Sequence, residues 1–315
     1  IDEAEAKTAF MREVGKHCCW GKKVARTMHI LKIIPSSALH YTLETYTEER
    51  STSWEHEPYH VGGSIDGPIN GPPPGPWDIH CNPTQTFHNE VHFLEVPKTS
   101  SVTPCHACGA MGWMRCHMCM GRGFKRCITC LGQGRLWKAD AHGHRHMVSC
   151  WHCHGTGRKK CMSCGGDGRI QCRTCQGFRQ IKCFIKLKVE YLAHQLEHIV
   201  EHTDMPEQLV KHVAGEIVFE QTQPSVWPIS NYPVQEVCLA SQRLVHEHNS
   251  QFQGKAKIIM QRHKLRAVPV SECTYTWKSD DDDEDEERRF WVYGKENACY
   301  APDYPMKYCW GCQIL

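Results

Sequence analysis

No apolar run in this chain of 315 residues approaches the roughly 18 residues that a membrane-spanning helix needs, which argues against a helical span. The chain also lacks a glycine-rich phosphate loop and the strained Gly-x-Ser-x-Gly turn of hydrolases, so no familiar catalytic constellation stands out. No secretory signal follows Ile1, and because the sequence opens on Ile rather than Met the natural start is expected upstream. Acidic residues are nearly missing from one stretch. Between Cys105 and Cys183 stand fourteen Lys or Arg and only Asp140 and Asp167, a balance of +12 in a chain whose net charge is +2. The remainder is therefore acidic by about ten charges.

What the same stretch holds instead is cysteine. Of 21 cysteines, twelve fall in six Cys-x-x-Cys pairs that start at 105, 116, 127, 150, 161 and 172, with steps of 11, 11, 23, 11 and 11. Steps symmetric about one long gap imply a chain that runs out along three pairs, turns within residues 136–149 and runs back. Cys127 and Cys130 then face Cys150 and Cys153; Cys116 and Cys119 face Cys161 and Cys164; Cys105 and Cys108 face Cys172 and Cys175. Four thiolates at each level suit three closed tetrahedral sites, hence three structural Zn²⁺ ions per chain. Disulfides and Cys-x-x-Cys redox chemistry are the competing readings, but cysteine this bunched in a long chain argues for metal in a reducing, cytoplasmic or nuclear setting. The four inner pairs read Cys-x-x-Cys-x-Gly-x-Gly, because a chelate of this kind needs a tight turn with positive φ after its second cysteine. In the outer pairs Ala110 and Arg179 replace one glycine each. Zinc ligation contributes on the order of 10 kcal/mol in small modules, so so polar a ribbon is expected to unfold without metal.

Either side of the ribbon the pattern is α+β. Helices are expected at 3–15, from 204–206 onward and at 234–249; strands at 38–47, 86–96, 181–191, 215–220, 255–277 and 288–293. Residues 65–77, rich in Gly and Pro, read as a surface loop, and the acidic run at 279–287 as a solvated hairpin loop. The expected organisation is a discontinuous α+β domain, residues 1–100 and 184–315, interrupted by an elongated nested-hairpin ribbon at 101–183.

The four inner motifs resemble the cysteine-rich zinc ribbon of DnaJ-type (Hsp40) co-chaperones, which carries four such motifs paired in the same nested way around two zinc ions. The J domain's His-Pro-Asp tripeptide is missing, so the resemblance does not imply stimulation of Hsp70. Across the chain, Cys18-Cys-Trp20, the segment His40-YTLETYTEE-Arg50 and Val268-PVSECT-Tyr275 resemble the Ssu-two homolog family. Together these imply a non-enzymatic, chaperone-like or adaptor protein whose partners are protein clients or a chaperone system. Met118, Met120, Phe124, Ile128 and Leu131 would meet an extended client; the plainer expectation is that they pack on the flanking domain.

Two other functions fit the same residues. Lys125, Arg126, Arg158, Lys159 and Lys160 suit nucleic-acid phosphates, although twelve thiolates with three Zn²⁺ carry −6 and halve the ribbon's +12. Aromatic platforms such as Trp113, Phe124, Trp137 and Trp151 are thinly spread. A thiol-disulfide oxidoreductase would use an incompletely ligated outer pair. His56-Glu-Pro-Tyr-His60 has the spacing of a zinc-protease helix, but Pro58 breaks it and a loop is expected. His142, His144 and His146 are expected at an exposed tip. The final Cys312-Gln-Ile-Leu315 fits a prenylation signal, with Cys309 as a second lipid site, and membrane association would follow only from such modification. Cys18, Cys19, Cys81, Cys183, Cys238, Cys273 and Cys299 are expected to pack.

Overall fold

The computed structural model describes residues 1–277 and 287–305. The acidic run up to residue 286, Cys309 and the lipidation candidate Cys312 lie outside the described residues. The elements in chain order are α1 (Glu3–Lys16), α2 (Lys23–Thr27), β1 (His29–Pro58), a 3-10 turn (Pro68–Asn70), β2 (Glu90–Glu95) and β3 (Ser101–Pro104). Six short strands follow: β4 (Trp113–Arg115), β5 (Phe124–Arg126), β6 (Arg135–Ala139), β7 (Arg145–Ser149), β8 (Arg158–Lys160) and β9 (Arg169–Gln171). The chain continues with β10 (Gln180–Val200), α3 (Glu207–Lys211), β11 (Glu216–Gln223), α4 (Gln235–Phe252), β12 (Lys257–Thr276), β13 (Arg288–Tyr293) and β14 (Ala298–Tyr300). The fold is mixed, mostly antiparallel sheet with a few helices. Among the described residues no helix is long and apolar enough to cross a membrane.

Two compact units result. The first holds residues 1–49, 82–91 and the described chain from Glu190 on; the second holds residues 50–81 and 92–189.

In the first unit β12 is the organising strand. It pairs antiparallel with β1 from His29↔Thr276 to Glu48↔Lys257, with β11 from Glu216↔Ala267 to Gln223↔Gln261, and with β13 from Val270↔Tyr293 to Tyr275↔Arg288. Helix α1 starts because Asp2 and Glu5 cap each other, the Glu5 N–H donating to the Asp2 carboxylate at 2.7 Å and the Asp2 N–H to Glu5 at 3.1 Å. Its apolar face puts Phe10 against Tyr275 and Phe290, with ring centroids 5.2 and 4.5 Å away. Helix α4 lays Val237, Leu244 and Val245 on Leu39, Tyr41, Leu43 and Leu265.

Under α4 runs a polar chain. Ser241 donates to the Tyr41 hydroxyl (3.0 Å), Tyr41 to His263 Nδ1 (3.1 Å), and His263 Nε2 to Gln221 (3.0 Å). Thr45 likewise donates to His248 Nδ1 at 2.7 Å and accepts from Gln261 at 3.1 Å. Burial holds both histidines neutral, and His263 is bonded through both ring nitrogens.

Several elements depart from the sequence pattern. Residues 38–47 are the alternating middle of a strand of 30 residues, because pairing with β12 carries β1 through exposed Leu31, Ile34 and Pro35, which show no alternation. The strand expected at 86–96 starts only at Glu90. Phe87 has φ +60°, outside strand geometry, and the Glu90 carboxylate takes the N–H groups of Thr84 and Gln85 at 3.1 and 3.0 Å. Helix α2 and strand β14 had no periodic signal. His56, Glu57 and Pro58 close β1 as strand, not as the expected loop; Pro58 is tolerated as the last strand residue.

In the second unit β3 pairs with β10 from Ser101↔Cys183 to Pro104↔Gln180, and Lys182 bridges Glu95 at 2.7 Å and Glu57 at 3.2 Å. Three two-stranded ladders follow: β4 with β9, β5 with β8, and β6 with β7. Residues 65–77 hold only the 3-10 turn.

Candidate metal centres

Each ladder level ends in a pair of facing Cys-x-x-Cys knuckles. Cys105, Cys108, Cys172 and Cys175 form one group; Cys116, Cys119, Cys161 and Cys164 a second; Cys127, Cys130, Cys150 and Cys153 a third. Within each group all four sulfurs lie inside 4.8 Å of one another. The closest facing pairs are 3.8 and 3.7 Å apart in the first group, 3.9 and 3.8 Å in the second, 3.9 and 3.7 Å in the third. Two sulfurs on one tetrahedral ion with metal–sulfur bonds of about 2.3 Å stand about 3.8 Å apart, whereas disulfide sulfurs stand at about 2.05 Å. The spacing therefore fits a sulfur-bound tetrahedral cation, and each group is able to hold one metal ion.

The backbone is built around the sulfurs. The residue four past the second cysteine donates its N–H to that sulfur at 3.2–3.3 Å in five knuckles: Gly112, Gly123, Gly134, Gly157 and Gly168. Its carbonyl accepts the N–H of the first cysteine in the facing knuckle, as from Cys127 to Gly157 (2.9 Å) and from Cys150 to Gly134 (2.8 Å). One residue thus serves both sides of the site. Glycine is needed there for space as well as for φ: a Cβ on Gly134 would lie 2.3 Å from the Gly155 carbonyl, and one on Gly157 2.3 Å from that of Gly132.

Arg179 fills the equivalent place in the sixth knuckle, at φ +68°, and its carbonyl still accepts from Cys105 at 2.8 Å. Its own side chain occupies space that the other levels leave empty. The facing Gly112 is accordingly further from its opposing carbonyl, 2.8 Å from a built Cβ to Gly177 O against 2.1–2.3 Å at the inner levels. The other outer departure, Ala110, adopts φ +60° and keeps the turn bond to the Cys105 carbonyl at 3.1 Å.

Sulfur is also the core of the ladders. The three clusters consist of the cysteines with Ile181, Leu136 and Ile170 at their margins; Cys164 alone of the twelve is half-buried. The knuckle N–H of Cys130 holds the Cys127 thiol down at about 6, and that of Cys175 holds Cys172 at about 7. Burial pushes Cys105, Cys116 and Cys150 up to about 11. A divalent cation removes that opposition, since it favours the thiolate of all four.

The side chains on the ladders split by type. The β5–β8 pair brings together all five basic residues singled out above, with Phe124↔Lys160, Lys125↔Lys159 and Arg126↔Arg158 in register. The Arg158 guanidinium lies 4.3 Å from the Phe124 ring centroid. Met118, Met120, Ile128 and Leu131 are exposed, Ile128 by 80%, so these four do not pack away as the plainer expectation had it. Met118, Met120 and Phe124 line a groove of about 440 Å³ with Arg122, Lys125 and Arg158.

The remaining expectations resolve individually. His142 and His144 lie in an exposed turn whose N–H groups both donate to Asp140 at 2.9 Å, and His146 lies on β7. His56 meets the His106 ring edge-on at 5.3 Å, and Glu57 faces Lys182, so no zinc-protease helix forms. Cys273 and Cys299 are buried, Cys19, Cys81, Cys183 and Cys238 half-buried, and Cys18 is exposed rather than packed. Repeat spacing located the twelve cysteines; the positive φ of Met120, Leu131, His154 and Gln176, each directly after a second cysteine, had no residue-type signal.

Fold and site together define a class: proteins in which paired tetracysteine groups, able to hold metal, replace the apolar core of a thin antiparallel ladder. No family model matches the chain. It is 37% identical to Protein SSUH2 homolog of Danio rerio over 316 aligned residues, covering all of this chain and 82% of that protein. It is 34% identical to Protein SSUH2 homolog of Homo sapiens, again over its whole length and 80% of the relative, and 34% identical to that of Mus musculus over 83% of this chain and 75% of the relative. The chain belongs to the Ssu-two homolog (SSUH2) family.

Proposed function

We propose that this is a non-enzymatic zinc protein in which a DnaJ-like cysteine-rich ribbon, residues 101–183, binds extended or unfolded protein segments as a chaperone-like or adaptor module. Zn²⁺ is the cation of choice because each group offers four soft thiolates, tetrahedral spacing and no open position for chemistry. The observation that carries client binding is the exposure of Met118, Met120, Ile128 and Leu131 beside a groove on a metal-stiffened ladder. Flexible thioether and aliphatic side chains adapt to many sequences, while fixed knuckles avoid the entropy cost of ordering a loop.

The test is suppression of aggregation of a reduced, denatured client by the zinc-loaded protein and by its Cys127→Ser/Cys150→Ser form. Suppression that falls with the innermost site supports the reading, and none by the intact protein overturns it. One observation favours a second reading: five cationic side chains collected on the β5–β8 pair suit a nucleic-acid backbone. That reading requires affinity for single-stranded RNA or DNA that drops steeply with salt. Lys159→Glu/Lys160→Glu should then weaken nucleic-acid binding while leaving client binding intact.

A further inference from the structure

Strand alternation gives the sheet of the first unit a second, polar face. Leu39, Tyr41 and Leu43 pack under α4, so His40, Thr42 and Glu44 turn the other way, and the register places them opposite Arg266, Lys264 and Arg262 of β12. These six side chains line a cavity of about 460 Å³, whose walls are completed by Gln195 of β10, Ile217 of β11 and Lys211 at the end of α3. All of them belong to the first unit. The volume falls within the roughly 300–1,000 Å³ of small-ligand sites.

The cations around the cavity are held in place, and one of them has no counter-ion. Arg262 donates to Glu44 through Nε at 2.8 Å and lies 4.5 Å from the Phe87 ring centroid. Lys264 meets Glu220 at 3.2 Å, and Lys211 pairs with Glu197. Arg266 instead donates to His40 Nδ1 at 2.7 Å and to the carbonyls of Val213 at 2.9 Å and of Val210 and Lys211 at 3.3 Å. Among the described residues it meets no carboxylate. The carbonyls fix the guanidinium without neutralising it, so four cations face three carboxylates. Burial lowers the pKa of His40 below its ordinary 6.5, and it adds no charge at neutral pH. Its other ring nitrogen is taken by Glu197 at 2.9 Å, which leaves it no free nitrogen to act as a base. The arrangement is therefore suited to binding rather than to proton transfer.

Two neutral groups stand among these charges. The half-buried Thr42 hydroxyl and the exposed Gln195 amide have no hydrogen-bond partner among the described residues. Both donate and accept, as a ligand hydroxyl requires. We propose that the cavity binds a small hydroxy carboxylate, with its carboxylate on Arg266 and Lys264 and its hydroxyl on Thr42 and Gln195. One surplus positive charge matches a monoanion, whereas a phosphate dianion would leave an excess of negative charge. A guanidinium held in place takes a carboxylate without first having to be ordered. The site does not depend on client binding by the ribbon, and neither does its readout.

The test titrates lactate into the zinc-loaded full chain and follows backbone amide chemical shifts, with sodium chloride at the same ionic strength as the reference. Saturable shifts are expected at residues 40–44, 195 and 262–266 with lactate and not with chloride. Lys264→Met should weaken lactate about ten-fold or more and Thr42→Val about five-fold, while Thr42→Ser, which keeps the hydroxyl, should retain most of the affinity. Lys257→Met, an exposed change on β12 outside the cavity, should have no effect. Shifts that grow linearly and equally with both salts would mean a solvated sheet face only and would overturn the proposal. So would equal affinities in Thr42→Val and Thr42→Ser, a comparison that decides the matter even if Lys264→Met fails to fold. Inorganic phosphate is the second probe, and tighter binding of phosphate than of lactate would overturn the assignment to a monoanion.

Discussion

At the scale of single residues, the knuckles show that one position can be constrained twice. Gly134 needs a positive φ, +75°, and also the space that a side chain would take from the Gly155 carbonyl 2.3 Å away. Gly143, in the turn between β6 and β7, needs only its φ of +84°, with nothing within 4 Å of a built Cβ. Gly134→Ala is accordingly expected to expel the innermost ion, read as a loss of one Zn²⁺ per chain, whereas Gly143→Ala should keep full metal and cost only about 1 kcal/mol. Equal metal content in the two variants would contradict the steric argument. In the first unit the corresponding keystone is Phe10, fully buried among Tyr275, Phe290 and Tyr304. Phe10→Ala should lower the stability of that unit by about 3–5 kcal/mol in urea denaturation and leave the ribbon's zinc content unchanged.

At the scale of elements, the ladders are a one-dimensional stack in which each level contains its own four ligands. Removing one level should then not dismantle the rest. Cys127→Ser/Cys150→Ser is expected to lose the ion of the innermost group while the groups built on Cys116 and Cys105 keep theirs. Loss of all three ions would mean that the levels fold as one cooperative unit.

Helix α4 carries a different sensitivity. Burial lowers His248 and His263 from the ordinary 6.5 to about 4. Above pH 6.5 both are neutral in folded and unfolded chains and contribute no pH dependence. As pH falls from 6.5 toward 4 the unfolded chain takes up protons that the folded one refuses, so stability declines through that window and levels off, for these two groups, below it. Urea midpoints measured across the window check the sign, and replacing His248 with Gln should make the decline shallower. A stability that rises on acidification would mean that the buried histidines accept protons in place.

At the scale of the whole molecule, the two units draw on different forces. The first is held by burial of apolar side chains from α1 and α4 on its sheet. The second has cysteine sulfur at the centre of its ladders, with Ile181, Cys183, Leu136 and Ile170 beside it. A strong chelator should therefore abolish amide protection in the ladders from residue 105 to 175 while α1, α4 and β12 remain protected, because among the described residues the tetracysteine groups able to hold metal all stand in the ladders. Uniform loss of protection across both units would show that the first unit depends on the metal as well.

How much of this was legible in the sequence follows from how local each cause is. The step of eleven residues and the single long gap suffice to say which knuckle faces which, since ligand spacing is a property of the chain itself. The capped helix α1, the alternating middle of β1 and the course of α4 are legible for the same reason. What only the tertiary structure decided came from contacts between distant segments. Pairing with β12 carries β1 back to His29 across a stretch without alternation, and the Glu90 carboxylate delays β2 by capturing the backbone at Thr84 and Gln85. Tyr304 comes to lie on Trp20, 284 positions earlier, through packing around Phe10. The sequence by itself determined where sulfur gathers, because chelate spacing is local; the tertiary structure decided which surfaces remain exposed, because burial depends on the whole chain.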